Sequence, residues 1–272
     1  MIKIVVDSAS DFTIEQANEL GFGFVPLQVE LDGSLYEDGV SFEKDEYYNL
    51  LASTPSFPKT SQPTPGRFLQ EFEKAKENND EVLYIALSSS ISGTYQSAML
   101  AASMTEYDRI HIFDSLSGSA IAQIMAKTAK KMADEGKTID EILKELEYLK
   151  EHGRIYIAVK SLDYLEKGGR ISKAVKTVGT LAKIKPLLAV VDGKIEMHSK
   201  CIGLKSAMKS LCAILNDKPN DDRYPVCVLF SYDRELPNEV AENVGNVEFV
   251  QLGATIGSHA GLESFGLAYI EK

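Results

Sequence analysis

The sequence predicts an α/β protein with an N-terminal Rossmann-like domain on a mainly parallel sheet and a C-terminal α+β domain with a mixed sheet. Three observations lead there. Through residue 151, short apolar segments alternate with helical ones, the rhythm of crossovers on a parallel sheet. Two of those segments end in Asp-Ser, Asp7-Ser8 and Asp114-Ser115, and a third runs into the hydroxyl-rich stretch Ser88–Tyr95. In doubly wound sheets, ligands sit at the carboxyl ends of the strands. Past residue 153 the rhythm changes. Leu187–Val191, Asp192-Gly193 and Lys194–His198 read as a hairpin, which requires antiparallel pairing.

The elements follow in order. Ile4–Val6 is a short buried strand, and Thr13 is placed to cap a helix through Leu20. Phe24–Leu31 reads as a second strand closed by the Asp32-Gly33 turn, and Ser41 as the cap of a helix containing Tyr47, Tyr48, Leu50 and Leu51. Pro55–Pro65 carries too many prolines for a helix or central strand and is assigned as loop. Thr64-Pro65 then suits an N-cap followed by proline at the first helical position, opening a helix from Gly66 to Lys76. Val82–Leu87 is a strand that breaks at Ser88–Tyr95 and continues as a helix through Ala102. Ile110–Phe113 is a strand, and 119–134 and 139–151 are helices. In the second half, Ile155–Val159 is a strand and Gly168-Gly169 a break. Segment 171–182 is helical, with Ile171, Ala174, Val175, Val178 and Leu181 on one face and Lys173 and Lys176 on the other. After the hairpin come a helix from Gly203 to Leu215, a strand Val226–Ser231, a helix near 237–244 and strands near 247–252 and 265–270. The domain boundary is placed at 153/154, with segment 62–80 free to join the second domain.

Composition bounds the function. The 272 residues are 44% apolar and 25% charged, average for a globular chain, which excludes a disordered tail, a collagen and a coiled coil. Forty acidic against 29 basic side chains give a net charge of −11, which disfavours binding to nucleic-acid phosphates. Basic residues concentrate in 160–209, a stretch suited to an anionic ligand, an acidic partner or a solvated face. Cys201, Cys212 and Cys227 lack the spacing of a disulfide framework or zinc site, so no metal is expected and the compartment is read as the reduced cytoplasm. No apolar run is long enough to span a bilayer, leaving at most peripheral membrane contact.

Two loops are candidates for binding an anion without a full positive charge. Thr60-Ser61-Gln62-Pro63 and Ser92-Gly93-Thr94 place hydroxyls just before helices, whose free N–H groups and partial positive charge receive a carboxylate or phosphate. Gly93 lets an anion approach the backbone. Lys59 and Arg67 are the only cations in or beside these loops, which favours a carboxylate over a phosphate dianion. Among four histidines, His111 and His152 have structural explanations, and His198 lies at the hairpin edge. His259, in Gly257-Ser258-His259-Ala260-Gly261, reads as a loop residue able to meet a ligand. Ser90-Ile91-Ser92-Gly93 lacks the leading glycine of a nucleophile elbow, and no Gly-rich phosphate-binding motif occurs, so the obvious enzyme signatures are missing and no cofactor is expected.

Val5–Asp11, Lys59–Gly66, Leu87–Ala98, Phe113–Ser115, Leu165–Ser172 and Ile184–Leu187, in this order along the whole chain, resemble the DegV family. The resemblance implies a bacterial two-domain protein holding one long-chain fatty acid between its domains. It would be the non-catalytic acyl carrier subunit of a fatty acid kinase, whose separate ATP-binding subunit converts the bound carboxylate to an acyl phosphate. By position, the carboxylate falls to Thr60, Ser92, Gly93 and His259, with Ser61, Thr94 and Lys200 as further contacts. The chain departs from the family pattern in two places. His198-Ser199-Lys200-Cys201-Ile202 has no arginine where related carriers place one thought to help the kinase reaction, and Gly261-Leu262-Glu263 replaces the usual Gly-Pro-Gly. Two other readings are a hydrolase or acyl transferase using Ser92 with His259, and a regulatory lipid-sensing module working through the basic stretch around Lys173 and Lys176.

Overall fold

The computed structural model describes residues 1–171 and 184–272. The helix expected over 171–182, with Lys173 and Lys176, lies outside the described residues except for Ile171. Three sheets organise the rest. Strands β1 (Ile2–Asp7), β2 (Gly23–Val25), β6 (Glu81–Ala86) and β7 (Ile110–Asp114) form an all-parallel sheet in the order β2-β1-β6-β7. Strands β8 (Gly153–Ala158), β9 (Ile184–Val191), β10 (Lys194–Ile202), β11 (Cys227–Phe230), β12 (Glu248–Gln251) and β13 (Phe265–Ile270) form a mixed sheet in the order β10-β9-β8-β13-β11-β12. Only its β11–β12 pair is parallel. A small antiparallel sheet joins β4 (Ser34–Glu37), β3 (Gln28–Leu31) and β5 (Lys59–Ser61).

The pleat sorts side chains into five layers, because alternate residues of a strand face opposite sides. Val5, Val82 and Tyr84 face helices α3 (Pro65–Glu77) and α4 (Thr94–Thr105). Ile4, Val6, Leu83 and Ile85 face α5 (Ser119–Asp134) and α6 (Ile139–His152). The same two helices meet Ile155, Cys227, Leu229, Ala268 and Ile270 of the mixed sheet, so one core spans both large sheets. The far face of that sheet, with Tyr156, Val228 and Leu267, is covered by α8 (Leu204–Asp217) and α9 (Glu235–Val244). Tyr47, Tyr48 and Leu51 of α2 (Lys44–Ser53) pack on the small sheet. The three remaining α-helices among the described residues are short, α1 (Ile14–Glu19), α7 (Asp163–Lys167) and α10 (Ala254–Ala260).

Local chemistry explains the differences from the sequence reading. Phe24–Leu31 is two strands in two sheets, because Pro26 interrupts pairing and the freed Leu27 N–H is taken by Ser8 Oγ at 3.0 Å. The Asp32-Gly33 turn has positive φ at both residues (50° and 76°), the geometry that matches hairpin twist, and it leads into β4, which the polar Ser34–Glu37 sequence hides. The cap of α2 is Glu43 in a capping box with Glu46, not Ser41, whose hydroxyl accepts the Glu37 N–H at 2.8 Å. Part of the proline-rich loop is strand. Lys59–Ser61 adds to the edge of β3, where flanking prolines are tolerated. His259 is in the last turn of α10 rather than in a loop, as the small residues of Ala254–Ala260 let that helix pack tightly. Helix α7 was not foreseen.

Candidate functional site

The strand-end aspartates build the hydroxyl loop rather than bind a ligand. Asp7 is buried and accepts from Tyr84 Oη at 2.6 Å, Leu87 N–H at 2.9 Å and Ala9 N–H at 3.0 Å. Burial pushes its carboxyl up to about 6 despite those donors. Asp114 Oδ1 accepts the Ser89 and Leu116 N–H groups, both at 3.1 Å. Ser88 Oγ donates to Gly193 O at 2.9 Å, tying the β9–β10 turn to the loop. The chain from Leu87 to Ser92 is thereby fixed from two strands and a hairpin.

Beneath it is a cavity of ≈ 110 Å³, several times the roughly 10–15 Å³ that one water needs. Its lining is mostly aliphatic, including Leu87, Ile155, Ile157, Leu188, Leu229 and Leu252, and comes from both halves of the chain. Thr60, Ser61, Gln62, Ser92, Arg170 and His259 are polar residues of that lining. Thr60 Oγ1 and His259 Nε2 are hydrogen-bonded at 2.8 Å across 199 residues of sequence. The other ring nitrogen, Nδ1, is buried without a partner and faces Gly168, where a Cβ would overlap it. Burial, reinforced by the nearby Arg170 charge, pulls His259 down to about 4, so the ring is neutral at pH 7. Arg170 donates through Nε to Ile91 O at 3.1 Å and through Nη1 to Gly168 O at 2.7 Å.

The other sequence candidates divide. Ser92 lines the cavity, its Oγ paired at 2.7 Å with Thr94 Oγ1 and accepting the Thr94 N–H at 3.3 Å. Thr94 is fully buried behind it, outside the lining. Gly93 is the residue preceding α4, and a Cβ there would overlap the side-chain amide of Gln62, which donates to Ser97 Oγ at 2.9 Å. Lys200 is exposed on β10, paired in register with Pro186, and does not border the cavity. Lys59 and Arg67 point to Glu30 and Glu37. Among the described residues, the cation that borders the cavity is Arg170, which sequence reasoning missed because it lies far from both hydroxyl loops in sequence. Its signals were the Gly168-Gly169 break before it and its place within Leu165–Ser172, one of the stretches that resemble the family. Gln62 was seen only as part of a loop.

The sequence profile of the DegV family, described as uncharacterised proteins, matches residues 1–272. The chain belongs to the DegV family. A DegV domain-containing protein of Caldanaerobacter subterraneus subsp. tengcongensis is 33% identical over 278 residues, covering 100% of this chain and 99% of that one. Among solved structures, the fatty acid-binding DegV family protein of Thermus thermophilus superposes with a TM-score of 0.89 at 30% identity, over 99% of each chain. The stearic acid-binding protein of Eubacterium ventriosum gives 0.90 at 29%, over 100% of this chain and 99% of that one. Both structures thus superpose on this chain over almost its whole length. Among the described residues, no helix is long and apolar enough to cross a membrane.

Proposed function

We propose that this protein binds one long-chain fatty acid in the cavity, with the carboxylate held by Thr60, Ser92, the Gly93 amide and His259, and presents it to an ATP-dependent kinase subunit. The observation that carries the reading is an aliphatic cavity in which Thr60 and His259 meet. A cavity with a largely aliphatic lining and a few convergent polar groups favours an apolar guest with a polar head. Burying some 14 methylenes at about 0.8 kcal/mol each contributes on the order of 11 kcal/mol before entropic costs, so the tail supplies affinity. The head group then needs only orientation.

A neutral imidazole and a hydroxyl suit that task. With His259 donating from Nε2 to Thr60 Oγ1, the Thr60 O–H is left to donate to the carboxylate. Arg170 adds a positive field at the same end without requiring direct contact. The fatty acid-binding relatives from Thermus thermophilus and Eubacterium ventriosum support the ligand class. In the kinase step, a carboxylate oxygen of the bound acid attacks the γ-phosphorus of ATP on the partner, ADP leaves, and this chain contributes no reacting group. The hydrolase reading is disfavoured by geometry, since Ser92 is paired with Thr94 while His259 is paired with Thr60. Mass spectrometry of ligand extracted from purified protein, followed by titration of the delipidated protein with oleate, tests the proposal. Recovery of no C14 to C18 acid together with no oleate binding would sink it.

A further inference from the structure

The helix that carries His259 is anchored at its opposite end by buried charge. The Gly253 N–H donates to Asp11 Oδ1 at 2.7 Å, the Ala254 N–H to Asp38 Oδ1 at 2.9 Å and the Thr255 N–H to Asp38 Oδ2 at 3.0 Å. Both carboxylates are buried, at 0% and 2% exposure, and both come from the other end of the chain. Lys44 ties the neighbouring backbone together, its Nζ donating to the main-chain carbonyls of Asp11 at 2.6 Å and Gln251 at 2.7 Å. Asp38 follows β4, and its own N–H donates to Leu27 O at 2.9 Å beside β3. The small sheet that presents Thr60 on β5 is therefore the sheet next to which Asp38 is fixed. The same two bodies, sheet and α10, are joined twice, once by Asp38 at the start of the helix and once by Thr60 and His259 at its end.

We propose that Asp38 is a positioning residue for His259, locking α10 against the three-stranded sheet so that the imidazole meets Thr60. A seven-residue helix is about 10 Å long, so a tilt of about 10° at its start displaces its end by roughly 2 Å, enough to break that hydrogen bond. Two amides need two acceptors. A carboxylate offers both, whereas an asparagine would turn an NH₂ group toward one of them. The inference rests on the assignment of Thr60 and His259 to the carboxylate, and its test separates the two claims.

In full-length protein, Asp38→Asn is compared with wild type by the ring ¹⁵N signals of His259 without ligand, assigned through His259→Ala. Affinities for a long-chain acid and for the alcohol of equal length are then measured. The expected result is displaced His259 signals, a loss of about tenfold or more for the acid, the scale of one hydrogen bond to a charged group, and less than about threefold for the alcohol. In a His259→Ala background, Asp38→Asn should cost the acid nothing further. Unchanged ring signals, equal losses for acid and alcohol, or a full loss persisting without His259 each overturn the proposal. If wild type binds neither molecule, the lipid reading falls and the ligand-free ring signals alone decide the role of Asp38. Ala254→Pro is the second variant should D38N not fold. It deletes one of the two amides at the first helical position, where proline is compatible with a helix, after an extended Gly253 (φ −69°, ψ 171°). It is expected to displace the His259 signals in the same way, and their constancy would refute the role.

Discussion

Replacing His259 by alanine isolates the head-group half of the binding site. The ring makes one hydrogen bond, Nε2 to Thr60 Oγ1 at 2.8 Å, and leaves Nδ1 unpartnered. Its removal therefore costs folding about 1 kcal/mol for the lost bond, offset in part by relief of the orphaned nitrogen. Ligand affinity is affected more. If the ring and Thr60 act as one unit on the carboxylate, the loss is that of a hydrogen bond to a charged group, about 1.5–3 kcal/mol, or roughly 10- to 150-fold in Kd. The tail contacts are untouched, so the alcohol of the same chain length should bind the variant and the wild type alike. The assay is displacement of a fluorescent fatty acid from delipidated protein at pH 7, run in parallel with thermal unfolding. An oleate Kd within twofold of wild type in a folded H259A protein would refute the assignment, whatever the cavity holds.

Three further outcomes are expected. Between pH 7 and 5, Asp7 and Asp11, raised by burial to about 6, each add about 1.4 kcal/mol of stability on acidification, because the folded state takes up the proton first. His259 acts oppositely: held near 4, it contributes stability that is complete above about 6.5 and removes about 2 kcal/mol by pH 5. Denaturant unfolding should thus show H259A gaining about 2 kcal/mol on wild type over this interval, and parallel pH profiles would contradict a buried neutral ring. Gly93→Ala should push Gln62 off Ser97 and cost about 1 kcal/mol in denaturant unfolding, with no added loss in a Gln62→Ala background; additive losses would show that the collision lies elsewhere. Incubation with an activated acyl ester should give no burst of product, and a burst that disappears in Ser92→Ala would restore the hydrolase reading.

Much of this architecture was legible because local signals agreed with the long-range packing. Ile4–Val6 and Val82–Leu87 are apolar because both their faces are buried, and Thr13 is read correctly because its capping box is complete in sequence. Asp192-Gly193 likewise specifies its own hairpin, with φ of 47° and 75°. What stayed hidden depends on partners far along the chain. Lys59–Ser61 becomes a strand only because β3 offers an edge, and Arg170 reaches the cavity only because α7 and the Gly168-Gly169 break turn it back toward Ile91. The Thr60–His259 pair is of the same kind. Each residue was singled out, one for its hydroxyl loop and one for its glycine-bordered setting, but no local rule says that they touch. Lys200 shows the converse: it is the cation nearest the position of the family's arginine, and that position gives no information on which way an edge-strand side chain faces.

Helix α5 lies between the two large sheets, packing on β1, β6, β8 and β13, with nine of its sixteen residues buried. A clamshell hinge that parted those sheets would strip Ile121, Ile124 and Met125 of one wall and wet the largest apolar cluster among the described residues. On the proposed reading, a fatty acid is expected to come and go by movement at the rim, with the central slab closed. Exchange would then be a matter of shifting a few peripheral segments, with a barrier unrelated to that of global unfolding.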